Sequence, residues 1–128
     1  MRASRAEIKI EEILRNNNLN FKEEYEFPGL ASSNGRPLRF DFAVFDDDDN
    51  LDFLIEYQGK QHYMPVSKFG GNRGLHQQNY NDKQKRRFCA LKNINLIEIP
   101  YTEENLISYD YIIYYIYLFC TVKVFAVM

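Results

Sequence analysis

The feature that most restricts how this chain can fold is the segment IEYQGKQHY, residues 55–63. There a glutamate, a glutamine, a lysine and a histidine follow directly on an apolar run. Glu56 falls inside what reads as a buried strand, and burying a carboxylate is costly unless a cation or hydrogen-bond donors meet it. The chain must therefore build a sheet whose interior contains a polar site, and the neighbouring segments show how. The segment LDFLIEYQ reads as one strand, and PLRFDFAVF before it as another. The turn DDDDN joins them as an antiparallel hairpin. That turn lacks the spaced ligands and terminal glutamate of a calcium loop and reads as solvated.

The remaining elements follow from local pattern. Ser4 and Glu7 form a capping-box pair before Ala6, Ile10, Ile13 and Leu14 at helical spacing. FKEEYEF predicts a half-buried strand that ends at Pro28-Gly29, and residues 63–75, with three glycines and one proline, predict a loop. Residues 76–93 predict a helix with Tyr80, Gln84, Phe88 and Leu91 on one face. INLIEIPY predicts a fourth strand, and a last helix is expected from Thr102. A helix joining strands three and four makes them parallel, so the order α-β-β-β-α-β-α predicts an α/β fold. Its mixed four-stranded sheet has helices on both faces. One domain is expected over residues 1–128, with its core in 4–101 and an apolar segment, 102–128, available for packing or a subunit contact.

Composition narrows the class. Cys89 and Cys120 have no metal-ligand spacing, and the N-terminus is too charged for a secretory signal, so an intracellular, cytoplasmic protein with reduced thiols is expected. Lys123 and the many tyrosines make the C-terminal segment a poor membrane span, and no membrane partner is expected. The net charge of -2 conceals an asymmetry, because residues 58–92 carry eight basic side chains and one acidic one, between two acidic flanks. Such a segment suits a phosphate-binding face, or equally a solvated helix surface.

Strand alternation places Arg39, Asp41, Ala43 and Phe45 on one face of the second strand, with Phe40, Phe42 and Val44 on the other. It likewise groups Leu54, Glu56, Gln58 and Lys60 on the third. Asp41 and Glu56 can then project to the same side of adjacent strands, where an opposing cation relieves their repulsion. Oxygen ligands with open positions suit Mg2+ or Mn2+, and Lys60 offers a second source of positive charge. Glu7, on the shoulder of the first helix's apolar stripe, is the acid of that helix that can reach the sheet, although capping alone accounts for it.

The succession of a helix, a strand, a hairpin bearing RFDF and then IEYQGKQHY, a basic helix and an apolar strand resembles the PD-(D/E)XK nuclease superfamily. The likeness is to its small branch of very-short-patch-repair-like and phage or intron homing endonucleases, over residues 4–101. The resemblance implies a restriction-endonuclease-like three-layer core and a Mg2+-dependent endonuclease acting on double-stranded DNA. Asp41, Glu56 and a backbone carbonyl near Tyr57 would be metal ligands. The sequence departs from the pattern at Gln58, where the family carries lysine. The register is then either Glu56-x-Gln58, or Gln58-x-Lys60 with the amide in the acid's place. The resemblance also makes His62 a general base, against the plainer reading of a hydrogen-bonded surface histidine, and turns Lys85 toward the cleft. Lys83, Arg86 and Arg87 would contact phosphates, and Lys68 and Arg73 would lie in a groove-entering loop. Cutting both strands implies a homodimer or a higher even-numbered assembly. A non-catalytic nucleic-acid-binding module of the same fold is the competing expectation, and a structural protein with internally paired acids is a third.

Overall fold

The computed structural model describes residues 3–127, with side chains described through residue 118. The helices are α1 (Arg5–Asn16), α2 (Gly71–Lys92) and α3 (Tyr109–Val127), and the strands are β1 (Asn20–Ala31), β2 (Pro37–Phe45), β3 (Leu51–Gln58) and β4 (Leu96–Pro100). Short 3-10 turns occupy Lys60–His62, Ser67–Phe69 and Tyr101–Leu106. α1 begins where expected, with the Glu7 N–H donating to Ser4 Oγ at 3.1 Å. A helix of 12 residues is marginal alone. Full burial of Ile10 and Leu14 contributes about 3–6 kcal/mol relative to exposure and holds it on the sheet.

The strands lie in the order β1-β2-β3-β4. The first three pair antiparallel, and β4 runs parallel to β3 because α2 carries the chain back across the sheet. The result is an α/β fold on a mixed, open, four-stranded sheet. One apolar cluster joins Ile10 and Leu14 of α1 and Ile112 of α3 to Phe42, Val44, Phe53, Ile55, Ile97 and Ile99. A second joins Cys89 of α2 to Leu38, Phe40, Ala43 and Leu54, with the rings of Phe27 and Phe88 5.1 Å apart. Cys89 is a buried free thiol as expected, whereas Cys120 lies outside the described side chains. No helix among the described residues is long and apolar enough to cross a membrane.

Four expectations are corrected. β1 does not stop at Pro28-Gly29 but runs on to Ala31, with an irregular register between Glu26 and Ala31 and Gly29 at φ +83°. α2 begins at Gly71 rather than at residue 76, so part of the glycine-rich segment is helical. Its inward residues are Asp82, Lys85 and Cys89, while Tyr80 and Leu91 are 45% and 75% exposed. The helix covers a sheet end carrying Glu56, so polar residues face inward. α3 starts at Tyr109, after a 3-10 turn that holds Glu103 and Glu104.

The glycines before and inside α2 have separate reasons. Gly70 adopts φ +91°, the left-handed region that most side chains avoid. A Cβ on Gly74 would stand 1.7 Å from the Phe69 carbonyl oxygen. Gly74→Ala is therefore expected to displace the Ser67–Phe69 turn, at a cost of about 1–3 kcal/mol. The melting temperature should fall by several degrees. At Gly35, where nothing lies within 4 Å, alanine should cost only its left-handed strain, about 1–2 kcal/mol. Thermal denaturation of the two variants side by side checks the difference, and equal losses would remove the steric explanation.

Candidate active site

Alternation along β1 and β2 breaks at one rung. In β1, Phe21 packs with the α1-side cluster, whereas Tyr25 and Phe27 pack with the α2-side cluster. In β2, Phe40 belongs to the α2 side and Phe42 and Val44 to the α1 side, so the expected grouping of all three on one face does not hold. The changes face each other, since Glu23 pairs with Phe42 and Tyr25 with Phe40. Between them lie Glu24, at φ +51°, and Asp41. This shared kink lets two carboxylates leave the sheet beside the first turn of α1.

The structure accordingly gathers Glu7, Glu24 and Asp41. One carboxylate oxygen from each lies within 4.8 Å of the other two. A cleft of about 470 Å³ covers them, lined also by Glu11, Glu23 and Arg39. Arg39, at the edge of the cleft, pairs through its Nε with Glu26 Oε1 at 2.8 Å. Burial, with the Glu7 charge adding to it, pushes the Asp41 carboxyl up to about 7, even though the Tyr57 N–H donates to Asp41 Oδ2 at 2.7 Å. Glu7 is also held above the ordinary carboxylate range, first by burial and then by Glu24, against the hydrogen bond from Ser4 Oγ. Three oxygen donors with no nitrogen or sulfur among them fit a hard divalent cation. The raised proton affinity of Asp41 comes first from burial, which the Tyr57 N–H and the nearby Lys85 offset only in part.

Glu56 stands next to this cluster and not within it. Regular alternation in β3 sends it toward α2, where its Oε1 accepts from Lys85 Nζ at 3.1 Å and from the Asp41 N–H at 3.0 Å. Burial, and then the nearby Asp41, raise the Glu56 carboxyl to about 8, with Lys85 pulling the other way. The two acids thus exchange side-chain bonds for the ladder bonds that end where β2 and β3 part. The carboxylates that converge with Asp41 are those of Glu7 and Glu24, while Glu56 is paired with Lys85. Tyr57 enters through its N–H.

The other expected residues divide by environment. Lys60 is not on the β3 face but exposed in the Lys60–His62 turn. Gln58 is buried with its amide occupied at both ends, donating to Glu98 and accepting from the Tyr63 hydroxyl. Glu98 is held in turn by Arg86 Nε, at 2.8 and 2.9 Å to its two oxygens. His62 is not a surface histidine. Its side chain is 7% exposed and its Nδ1 lies 2.7 Å from Asp82 Oδ2. Lys85 points inward to Glu56 and does not line the cleft, while Lys68, Arg73, Lys83 and Arg87 are exposed.

Comparison with known proteins adds relatives of undetermined role. The chain is 45% identical over 62 residues to uncharacterized protein 094L of Frog virus 3 (isolate Goorha). It is 41% identical over 58 residues to uncharacterized protein 307L of Invertebrate iridescent virus 6, and 45% over 49 residues to uncharacterized protein 033L of Invertebrate iridescent virus 3. These matches take up 47%, 44% and 38% of this chain but only 40%, 29% and 25% of the viral proteins, so the chain spans less than half the length of each. No family model matches the chain, and no solved structure does.

Glu24, Asp82 and Glu98 were not legible as site residues. For Glu24 a signal existed, since Glu23 occupies a position where alternation with Phe21 and Tyr25 calls for an apolar residue. Such an interruption marks a strand that changes face.

Proposed function

We propose that the chain is a metal-dependent endonuclease that hydrolyses phosphodiester bonds of double-stranded DNA, built on a restriction-endonuclease-like three-layer core of the PD-(D/E)XK type. The observation that carries this reading is the convergence of the Glu7, Glu24 and Asp41 carboxylates within 4.8 Å of one another. These three would hold a Mg2+ or Mn2+ ion, which when bound acidifies a water ligand and offsets charge on the phosphoryl oxygens. Lys85 fixes Glu56, and Glu56 fixes the Asp41 backbone, so the Asp41 carboxylate is presented to the cleft. His62, with Nδ1 engaged by Asp82, keeps Nε2 as its proton-accepting nitrogen. Gln58 braces β3 against β4, and exposed Lys60 serves the rim. Action on both strands would require two copies, hence a homodimer.

The second reading, a DNA-binding module without chemistry, is favoured by one observation. Gln58 stands where the family carries lysine and its amide is wholly engaged within the protein. Incubation with supercoiled plasmid separates the two. Conversion to open circles with Mg2+ or Mn2+, abolished by EDTA, is expected. Retarded but intact plasmid under both metals would leave only the module.

A further inference from the structure

The RFDF segment holds one charged residue to which the proposed chemistry gives no role. Arg39 stands two positions before Asp41 in β2, so their Cα atoms are about 6–7 Å apart at the usual strand rise. Phe40 between them packs into the α2-side cluster, whereas Arg39 and Asp41 line the cleft with Glu7 of α1. Among the described residues Arg39 is the one cation of that lining, against the five carboxylates of Glu7, Glu11, Glu23, Glu24 and Asp41. A divalent ion on Glu7, Glu24 and Asp41 would bring two positive charges to three carboxylates, which leaves none over for an anionic phosphodiester. Lys85 does not make up the difference, because it is paired with Glu56 at 3.1 Å and does not line the cleft.

The Arg39 guanidinium is oriented but only partly used. Its Nε donates to Glu26 Oε1 at 2.8 Å across the β1–β2 ladder, where the two residues are direct partners. Arg39 has no other hydrogen bond or ion pair among the described residues, so the N–H groups of both Nη atoms remain for a ligand. The two side chains are 57% and 43% exposed, and so exposed a pair contributes little to stability. Its effect is to fix the plane of the guanidinium. We infer that Arg39 is the phosphate clamp of the cleft, taking the non-bridging oxygens of the same phosphodiester that the metal ion contacts. Paired N–H groups in one plane fit two oxygens of a phosphate. In hydrolysis a water oxygen bonds to phosphorus, the ester P–O bond breaks, and the leaving oxygen takes a proton from solvent. Arg39 transfers nothing in this step. It holds the negative charge on the oxygens that stay on phosphorus.

This role rests on the reading of the cleft as a phosphodiester-hydrolysing site, and binding measured apart from cleavage separates the two. Thymidylyl-thymidine, which carries a single phosphodiester, should bind the wild type in calorimetry only with Mg2+ present. Arg39→Ala should weaken that binding by at least about 10-fold. The same variant should nick supercoiled plasmid about 100- to 1,000-fold more slowly and recover part of the rate in guanidinium chloride below its denaturing range. It should keep the wild-type rise in melting temperature with Mg2+, since other side chains hold the ion. Arg39→Lys should stay about 10-fold below wild type in nicking, because a point charge does not replace paired N–H groups. Nicking by Arg39→Ala within about 3-fold of wild type, or loss of its Mg2+ response, would overturn the clamp. So would full activity in Arg39→Lys, the variant that decides if Arg39→Ala fails to fold. A dinucleotide bound through Arg39 without any nicking sinks the nuclease alone, and nicking indifferent to Arg39 sinks the clamp alone. A wild type that neither binds nor nicks sinks both.

Discussion

Asp41→Asn is expected to abolish metal-dependent nicking and, in the same molecule, to raise the melting temperature of the metal-free protein at pH 8. The two effects share a cause. The Asp41 carboxyl is buried beside Glu7 and Glu24 and pushed up to about 7, against 3.8 for a free group. A folded-state pKa above the unfolded one means that the stability contributed by the bound proton is complete below about pH 4 and is lost as pH rises through 7. Asparagine keeps an oxygen for the Tyr57 N–H and carries no charge to lose. The variant should therefore match the wild type near pH 4 and exceed it by a few kcal/mol at pH 8. Millimolar Mg2+ should stabilise the wild type at pH 8, by about 2.7 kcal/mol when its concentration is 100 times Kd, and leave the variant unmoved. Nicking should fall by at least about 100-fold, in keeping with the loss of a major electrostatic contribution. Melting curves across pH with and without Mg2+ check the first effect and plasmid relaxation the second. A variant less stable than wild type at pH 8 would show that the acid cluster is compensated after all.

The second large effect concerns Lys85. Its ammonium lies 3.1 Å from Glu56 Oε1 and 5.3 Å from the Phe40 ring centre, with the two side chains 11% and 7% exposed. Methionine would fill the space without the charge. Below about pH 4.5 Glu56 is protonated in folded and unfolded chains alike, so Lys85→Met should cost little beyond packing. The Glu56 carboxyl is raised to about 8, with Lys85 opposing the rise. As pH passes through 8 the wild type ionises Glu56 against a cation, while the variant must either hold the proton or bury a bare charge. The gap should widen by about 1.4 kcal/mol for each pH unit above 8, the cost of holding the proton on Glu56. Lys85→Met combined with Glu56→Gln should recover most of that loss, because no charge then remains to be matched. Urea denaturation at pH 5 and pH 9 provides the comparison, and a pH-independent loss would mean that Lys85 acts through shape alone.

How much of this was readable from the sequence differs from residue to residue. The element order, the hairpin and the antiparallel-then-parallel pairing followed from periodicity and turn chemistry, since those signals are local. Asp41 and Glu7 were found because each interrupts or borders an apolar pattern. Glu24 was not, because strict alternation assigns it a face that a left-handed φ of +51° reverses. Lys85 and Asp82 were obscured for another reason. An inward stripe made of an acid, a lysine and a cysteine looks solvated until the sheet end it covers proves to carry Glu56 and the turn bearing His62. Propensity reads one segment at a time, whereas Asp82 and Lys85 are explained by partners 20 and 29 positions away.

The irregular end of β1 has a consequence for assembly. β1 and β4 are the two margins of the sheet, where unsatisfied main-chain groups invite a neighbouring chain to add a strand. One margin is interrupted between Glu26 and Ala31 and carries Lys22, Glu23 and Glu24 exposed. The other is five residues long and closes on Pro100. Both margins resist extension, which disfavours fibril-like stacking and leaves the helical surfaces to any second copy.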